Sequence, residues 1–178
     1  ILTAIIMVAQ NNVNTANSEQ SETRHFRIFY PVNKTKLYPN YMGNALNIDT
    51  IRRYLAESPR IDSIVIYSYA SPDGPYKLNK RLAEERGKRA RSYLIEQIPA
   101  ERNFPDSLII IKPTAENWEG LYDMISQSYP FSDKQEILDS LTKKNVTPDK
   151  KKALLKQHNR GTAWEYIKTE ILPQLRYA

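Results

Sequence analysis

The segment Tyr76–Gln97 follows the turn Ser71-Pro72-Asp73-Gly74-Pro75 and reads as one long helix stopped near Pro99. At about 100° per residue, Leu78, Leu82, Ala83, Ala90, Tyr93 and Leu94 share one face. Lys80, Arg81, Glu84, Glu85, Lys88 and Arg91 share the other. Asn79 and Arg86 break the pattern by standing inside the apolar face. A guanidinium there needs an anion or several carbonyls, because an unpaired charge in a dry site is costly. Asn79 lies about two helical turns earlier, where its amide can serve the backbone of the turn. Ser71, Asp73, Asn79 and Arg86 therefore form one candidate site at the end of the preceding strand. Two chemistries remain open for Arg86: grip of an anionic ligand, or an internal bridge to a carboxylate such as Asp73.

Other reactive constellations are sparse. The chain has no cysteine, which excludes disulfides, thiolate metal sites and a cysteine nucleophile. Its histidines, His25 and His158, are far apart and belong to no ligand motif. Glu84-Glu85 are neighbours on the solvated helix face, and no serine-nucleophile motif or glycine-rich phosphate loop occurs. The expectation is a non-enzyme without cofactor or metal. A net charge of +6 suits anionic partners. Lys77, Lys80, Arg81, Lys88, Arg89 and Arg91, with Lys143-Lys144 and Lys150-Lys151-Lys152, read as solvated basic surface. They lack the arrangement of base-reading or stacking side chains that nucleic acid requires.

The elements that must position the site follow from periodicity. His25–Pro31 alternates, with Phe26, Ile28 and Tyr30 on one side, and predicts a strand. Ile48, Ile51, Tyr54 and Leu55 predict a helix capped by Asn44 or Asn47 and closed by Pro59. Ile61–Ala70 is apolar on both faces, as a central strand is. Ser107–Lys112 predicts another strand ended by Pro113. Residues 117–128, 134–143, 148–157 and 162–172 predict short helices, with Asp133, Thr147 and Thr162 as caps. Their aromatic residues Trp118, Tyr122, Tyr129, Phe131, Trp164 and Tyr166 are expected to pack largely against the sheet, with a few left for a protein partner. Leu175-Arg176-Tyr177-Ala178 can open a further strand. Before all of these, Ile1–Ala9 is uncharged and apolar, and residues 10–23 are polar and patternless. They read as a truncated secretory signal, with cleavage near Ala9 or Ala16, followed by a linker.

The run Ile64-Val-Ile-Tyr-Ser-Tyr-Ala-Ser-Pro-Asp-Gly74, then Asn79, then Leu82-Ala-Glu-Glu-Arg86-Gly87, resembles the OmpA-like C-terminal domain. More specifically, it resembles the Tyr-Ala-Ser-Pro-Glu/Asp-Gly variant of Bacteroidetes envelope proteins, over roughly residues 25–112. The resemblance implies a β-α-β-α-β two-layer sandwich of the α+β class, with a helical insertion at about 114–172 before the last strand. It also implies a periplasmic or outer-membrane-associated protein that binds peptidoglycan. In that family an aspartate of the turn and the arginine of the helix hold diaminopimelate. Arg86 meets the arginine position, whereas Ser71 stands at the aspartate, with Asp73 two residues on. Gly87 replaces the usual alanine, a mild departure, and the closing Asn-x-Arg-Arg-Val pattern has only Asn159-Arg160 and Arg176 as faint counterparts. Residues 24–178 are thus expected to be a non-catalytic envelope module. It binds the wall peptide or an envelope protein and touches the membrane only indirectly. The alternative is an adhesion or fimbria and outer-membrane assembly module that has lost wall binding.

Overall fold

A computed structural model describes residues 9–13 and 20–178. A two-stranded antiparallel hairpin, β1 (Ala9–Val13) and β2 (Gln20–Arg24), precedes α1 (Asn44–Glu57), β3 (Ile64–Tyr69), α2 (Tyr76–Gln97) and β4 (Ile109–Thr114). Four helices follow: α3 (Trp118–Ser128), α4 (Lys134–Thr142), α5 (Pro148–Gln157) and α6 (Thr162–Tyr166). From α6 the chain runs on through a wide π-type turn and a 3-10 turn to Leu175.

β3 and β4 pair in parallel, from Ile64 opposite Ile109 to Tyr69 opposite Thr114, with α2 as the crossover. Residues 176–178 extend this sheet. Ile28 and Ala178 exchange two backbone hydrogen bonds of 2.9 Å, and Tyr30 N–H donates to the Arg176 carbonyl at 2.7 Å. Tyr177, whose backbone points the other way, accepts from Tyr69 N–H at 2.8 Å. Hydrogen bonds of alternate residues leave opposite sides of an extended chain. The strip therefore lies between residues 28–30 and β3, and the order across the sheet is 28–30, 176–178, β3, β4.

The molecule is a mixed helix-and-strand protein of the α+β type with two apolar cores. In the first, α1 and α2 cover one face of the sheet, burying Ile28, Tyr30, Ile51, Leu55, Ile64, Ile66 and Leu94. Each such side chain stabilises the fold by about 1.5–3 kcal/mol. The second belongs to the helical insertion alone and centres on Leu121, Ile125, Ile137, Leu155, Ile167 and Leu172. Trp118, Trp164 and Tyr166 pack on this second core, and Tyr129, Phe131 and Tyr166 stack edge-on at 5.0–5.4 Å between centroids. The expectation that these aromatics pack against the sheet is corrected: four amphipathic helices supply enough apolar surface to bury their own.

Other expectations meet smaller corrections. The linker expected over residues 10–23 contains paired backbone at 10–13 and 20–23; its polar residues make a hairpin without the alternation that marks a half-buried strand. The proposed signal lies outside the described residues except for Ala9, the first residue of β1. Residues 25–31 form one bridge, Phe29 to Tyr177, rather than a full strand, although Ile28 and Tyr30 are buried as the alternation requires. Pro113 lies within β4 instead of ending it, which an edge strand tolerates because no second neighbour needs its missing N–H. Asn44 starts α1 but does not cap it; its side chain bonds the N–H and C=O of Phe29 at 2.8 and 2.9 Å. Asp133 and Thr162 make no side-chain cap, whereas Asn117 and Thr147 do. Among the described residues, no helix is long and apolar enough to cross a membrane.

Gly87 is not a mild departure. A Cβ built there would stand 2.5 Å from Ile111 Cγ2 and 2.7 Å from Ser68 Oγ. Bare backbone at this point lets α2 lie close against β3 and β4, and that contact fixes where Arg86, one residue earlier, enters the structure.

Candidate functional site

The end of β3 is where the polar side chains converge, and each arrives on a different element. Arg86 enters from α2 and is 1% exposed. Its Nε donates to the Lys34 carbonyl at 3.0 Å, Nη1 to the Tyr69 carbonyl at 2.8 Å and Nη2 to the Pro31 carbonyl at 3.2 Å. The guanidinium carbon lies 5.2 Å from the centroid of the Tyr30 ring. Burial pulls its pKa down to about 10, opposed by Tyr30, so the group stays charged at neutral pH. Arg86 takes neither of the two partners left open in the sequence, an anionic ligand or a carboxylate such as Asp73: its donors go to backbone carbonyls, and it ties residues 31–34 to the end of β3. Buried Tyr30 has its phenol pushed up by desolvation.

Ser71 and Asp73 come together around a different arginine. Arg176 Nε donates to Ser71 Oγ at 2.7 Å, and its Nη2 meets Asp73 Oδ2 at 3.1 Å. Ser71 Oγ in turn donates to Asp73 Oδ1 at 3.0 Å. The turn's acid is therefore neutralised from residues 176–178, by a side chain that is 7% exposed against 21% for the acid. The fork of a guanidinium suits this, since it reaches a hydroxyl and a carboxylate at once.

Asn79 faces a third group. Its Nδ2 donates to the Gly74 carbonyl at 3.2 Å and to Glu116 Oε1 at 2.8 Å. Glu116 also accepts from Trp118 Nε1 at 3.0 Å and pairs with Lys152 Nζ at 2.5 Å. Lys152 reaches back from α5 to the Gly74 carbonyl at 2.6 Å. Next to these groups, Asn117 holds α3 to the sheet. Its N–H donates to the Ala70 carbonyl at 3.0 Å and its Nδ2 to Tyr177 Oη at 3.1 Å.

The four residues singled out from sequence thus lie around one turn but serve three separate arrangements. Reading the sequence missed Glu116, Asn117 and Lys152, and gave Arg176 only a faint place. Lys152 was hidden in a run of three lysines; its spacing of three from Leu155 was the available signal, since both sit on the buried side of α5. Arg176 stands between Leu175 and Tyr177, both buried, so alternation alone does not show that it turns inward too.

An open cleft of about 410 Å³ remains beside the turn, lined by Asp73, Gly74, Pro75, Asp149, Lys152, Ala153 and Lys156. It mixes both charge signs with exposed backbone. Compared with known proteins, the chain matches no family model and no curated protein in sequence.

Proposed function

We propose that this chain is a non-catalytic, exported cell-envelope module of the OmpA-like type, acting in the periplasm as an assembly anchor through protein contacts rather than as a holder of the wall peptide. The observation that carries the reading is the internal use of the family's ligand groups: Arg86 spends its donors on three backbone carbonyls, and Asp73 is paired with Arg176. A ligand would have to break charge-assisted hydrogen bonds, worth about 1.5–3 kcal/mol each, before making its own. The strand order across the sheet and the arginine-bearing helix after the Ser71–Pro75 turn support the family likeness. The insertion's separate core and its Tyr129–Phe131–Tyr166 stack, with Phe131 48% exposed, support a protein-binding role.

The test is retention on purified peptidoglycan, alongside fractionation of cells carrying the full-length precursor. The expected result is an envelope-located protein that washes off the wall at physiological ionic strength. Salt-resistant retention that disappears in Arg86→Lys at unchanged stability would sink the assembly reading and restore wall binding. A cytoplasmic location would sink both.

A further inference from the structure

Among the described residues, β4 is paired on one side only. Which of its backbone groups face outward follows from β3. Tyr69 N–H donates to the Tyr177 carbonyl, so Tyr69, Tyr67 and Val65 turn their backbone groups toward residues 176–178, and Ser68, Ile66 and Ile64 turn theirs toward β4. In a parallel pair, the residue opposite one that faces its neighbour strand faces away from it. Ile109, Ile111 and Pro113 stand opposite Ile64, Ile66 and Ser68, so their backbone groups point to the open side. Pro113 has no N–H. The edge that can both donate and accept is therefore Ile109 and Ile111.

The side chains alternate in the same way. Ile109 and Ile111 pack in the first core, under the helices, whereas Ile110 lies on the opposite face and is 45% exposed. Lysine and proline commonly guard an open edge. Here Lys112 and Pro113 stand together at one end of β4 and leave 109–111 open.

We propose that β4 pairs antiparallel with β4 of a second copy of this chain, about a two-fold axis at Ile110, so that two sheets become one. Read backwards, Ile109-Ile110-Ile111 is the same run, and the axis sets isoleucine against isoleucine at all three positions. This register meets the donor and the acceptor of Ile109 and Ile111 in both copies. The two Ile110 residues form a non-hydrogen-bonded pair with Cα atoms about 4.5 Å apart, where side chains lie close. Lys112 comes opposite Leu108 of the second copy. The two lysines stand about 14 Å apart along the strands, beyond the roughly 8 Å over which exposed charges act at physiological salt. An axis at Ile111 would set Pro113 against Ile109 and leave the Ile109 carbonyl without a donor. A second copy is the favoured occupant because it matches the open edge in length as well as in residue type: by symmetry, Lys112 and Pro113 close the ladder at both ends. The pairing goes beyond the assembly reading and does not depend on it.

The experiment is sedimentation equilibrium of the full chain against Ile110→Lys, with diamide oxidation of Ile110→Cys and Lys112→Cys. The chain has no cysteine, so each cysteine variant carries one thiol. The wild type should show a concentration-dependent dimer. Ile110→Lys should raise the dissociation constant about tenfold or more, because it sets like charges opposite each other and removes the apolar pair. Its melting curve should match the wild type, since the side chain replaced is exposed. Ile110→Cys should cross-link to a dimer, as the Cα spacing suits a disulfide, and Lys112→Cys should not. A wild type that stays monomeric overturns the proposal and leaves the edge to a strand of another protein. Undiminished dimerisation of a folded Ile110→Lys also overturns it, as does cross-linking of Lys112→Cys as readily as Ile110→Cys. Should Ile110→Lys fail to fold, the two cysteine variants decide alone.

Discussion

Replacing Arg86 by methionine separates a structural arginine from a ligand-binding one, because the side chain keeps its length and loses its donors. In the folded protein the guanidinium makes three hydrogen bonds to backbone carbonyls and sits over Tyr30. Three charge-assisted bonds at about 1.5–3 kcal/mol each amount to roughly 5–9 kcal/mol. Against that stands the cost of burying the charge. Burial lowers the pKa from 12.5 to about 10, which corresponds to about 3 kcal/mol of relief when the charge is removed. The net loss is about 2–6 kcal/mol, and for a chain of this size a melting temperature lower by roughly 5–20 °C. Urea unfolding followed by circular dichroism gives the free energy directly. Arg86→Lys should recover only part of it, since one ammonium cannot reach three carbonyls held in different directions. A loss below about 1 kcal/mol in Arg86→Met would refute this account of how the residue is held. Arg86 would then be available to a ligand at little cost to the fold.

Gly87→Ala should destabilise by about 1–2 kcal/mol in urea, because overpacking against Ile111 and Ser68 outweighs the gain in helix propensity; a stabilised variant would show that α2 can shift off the sheet. Ser71→Asp places a second carboxylate between Asp73 and Arg176, so it should lower the melting temperature without creating wall retention; salt-resistant retention on peptidoglycan would overturn the proposed assembly role. A double-mutant cycle on Asp73→Ala and Arg176→Ala should give a coupling of about 1–3 kcal/mol, and a value near zero would remove Asp73 from the internal network. At alkaline pH the sign follows from the tyrosines. In the unfolded chain they ionise near 10, whereas burial pushes Tyr69 up to about 12 and raises Tyr30 as well. The folded state then binds more protons than the unfolded one, so stability is full below pH 10 and falls as the pH rises toward about 12. Phenolate absorbance should appear together with loss of helix signal, and ionisation of every tyrosine near pH 10 without unfolding would contradict the burial.

What the sequence made legible is the part governed by local periodicity. α2 spans Tyr76–Gln97 as its apolar face predicts, and Asn79 and Arg86 are buried in that face. α5 spans Pro148–Gln157, since Thr147 and the proline after it define a helix start by themselves. The identity of Arg86's partners was not legible. Carbonyls are present at every residue and carry no sequence signature, whereas an anionic partner would have. The bond from Arg176 to Ser71 spans 105 residues, a distance over which no periodic pattern informs. Lys152 differs from Lys150 and Lys151 only in phase, which marks it as lying on the same side of α5 as Leu155; what it meets there depends on where the insertion docks, which local sequence does not encode.

The strip 176–178 has a consequence for the order of events when the molecule is made. It fills the gap between residues 28–30 and β3, and it carries the counter-ion for Asp73. Until it arrives, the N–H and C=O of Ile28 and the N–H groups of Tyr30 and Tyr69 stay open, and the turn's acid lacks its arginine. Such edges invite pairing with other chains, and contacts this distant in sequence form late. A nascent or clipped chain lacking the strip would be an adhesive intermediate, held for chaperones and proteases to sort. Closing the strip meets those backbone groups and sets the charges of the site in the same step.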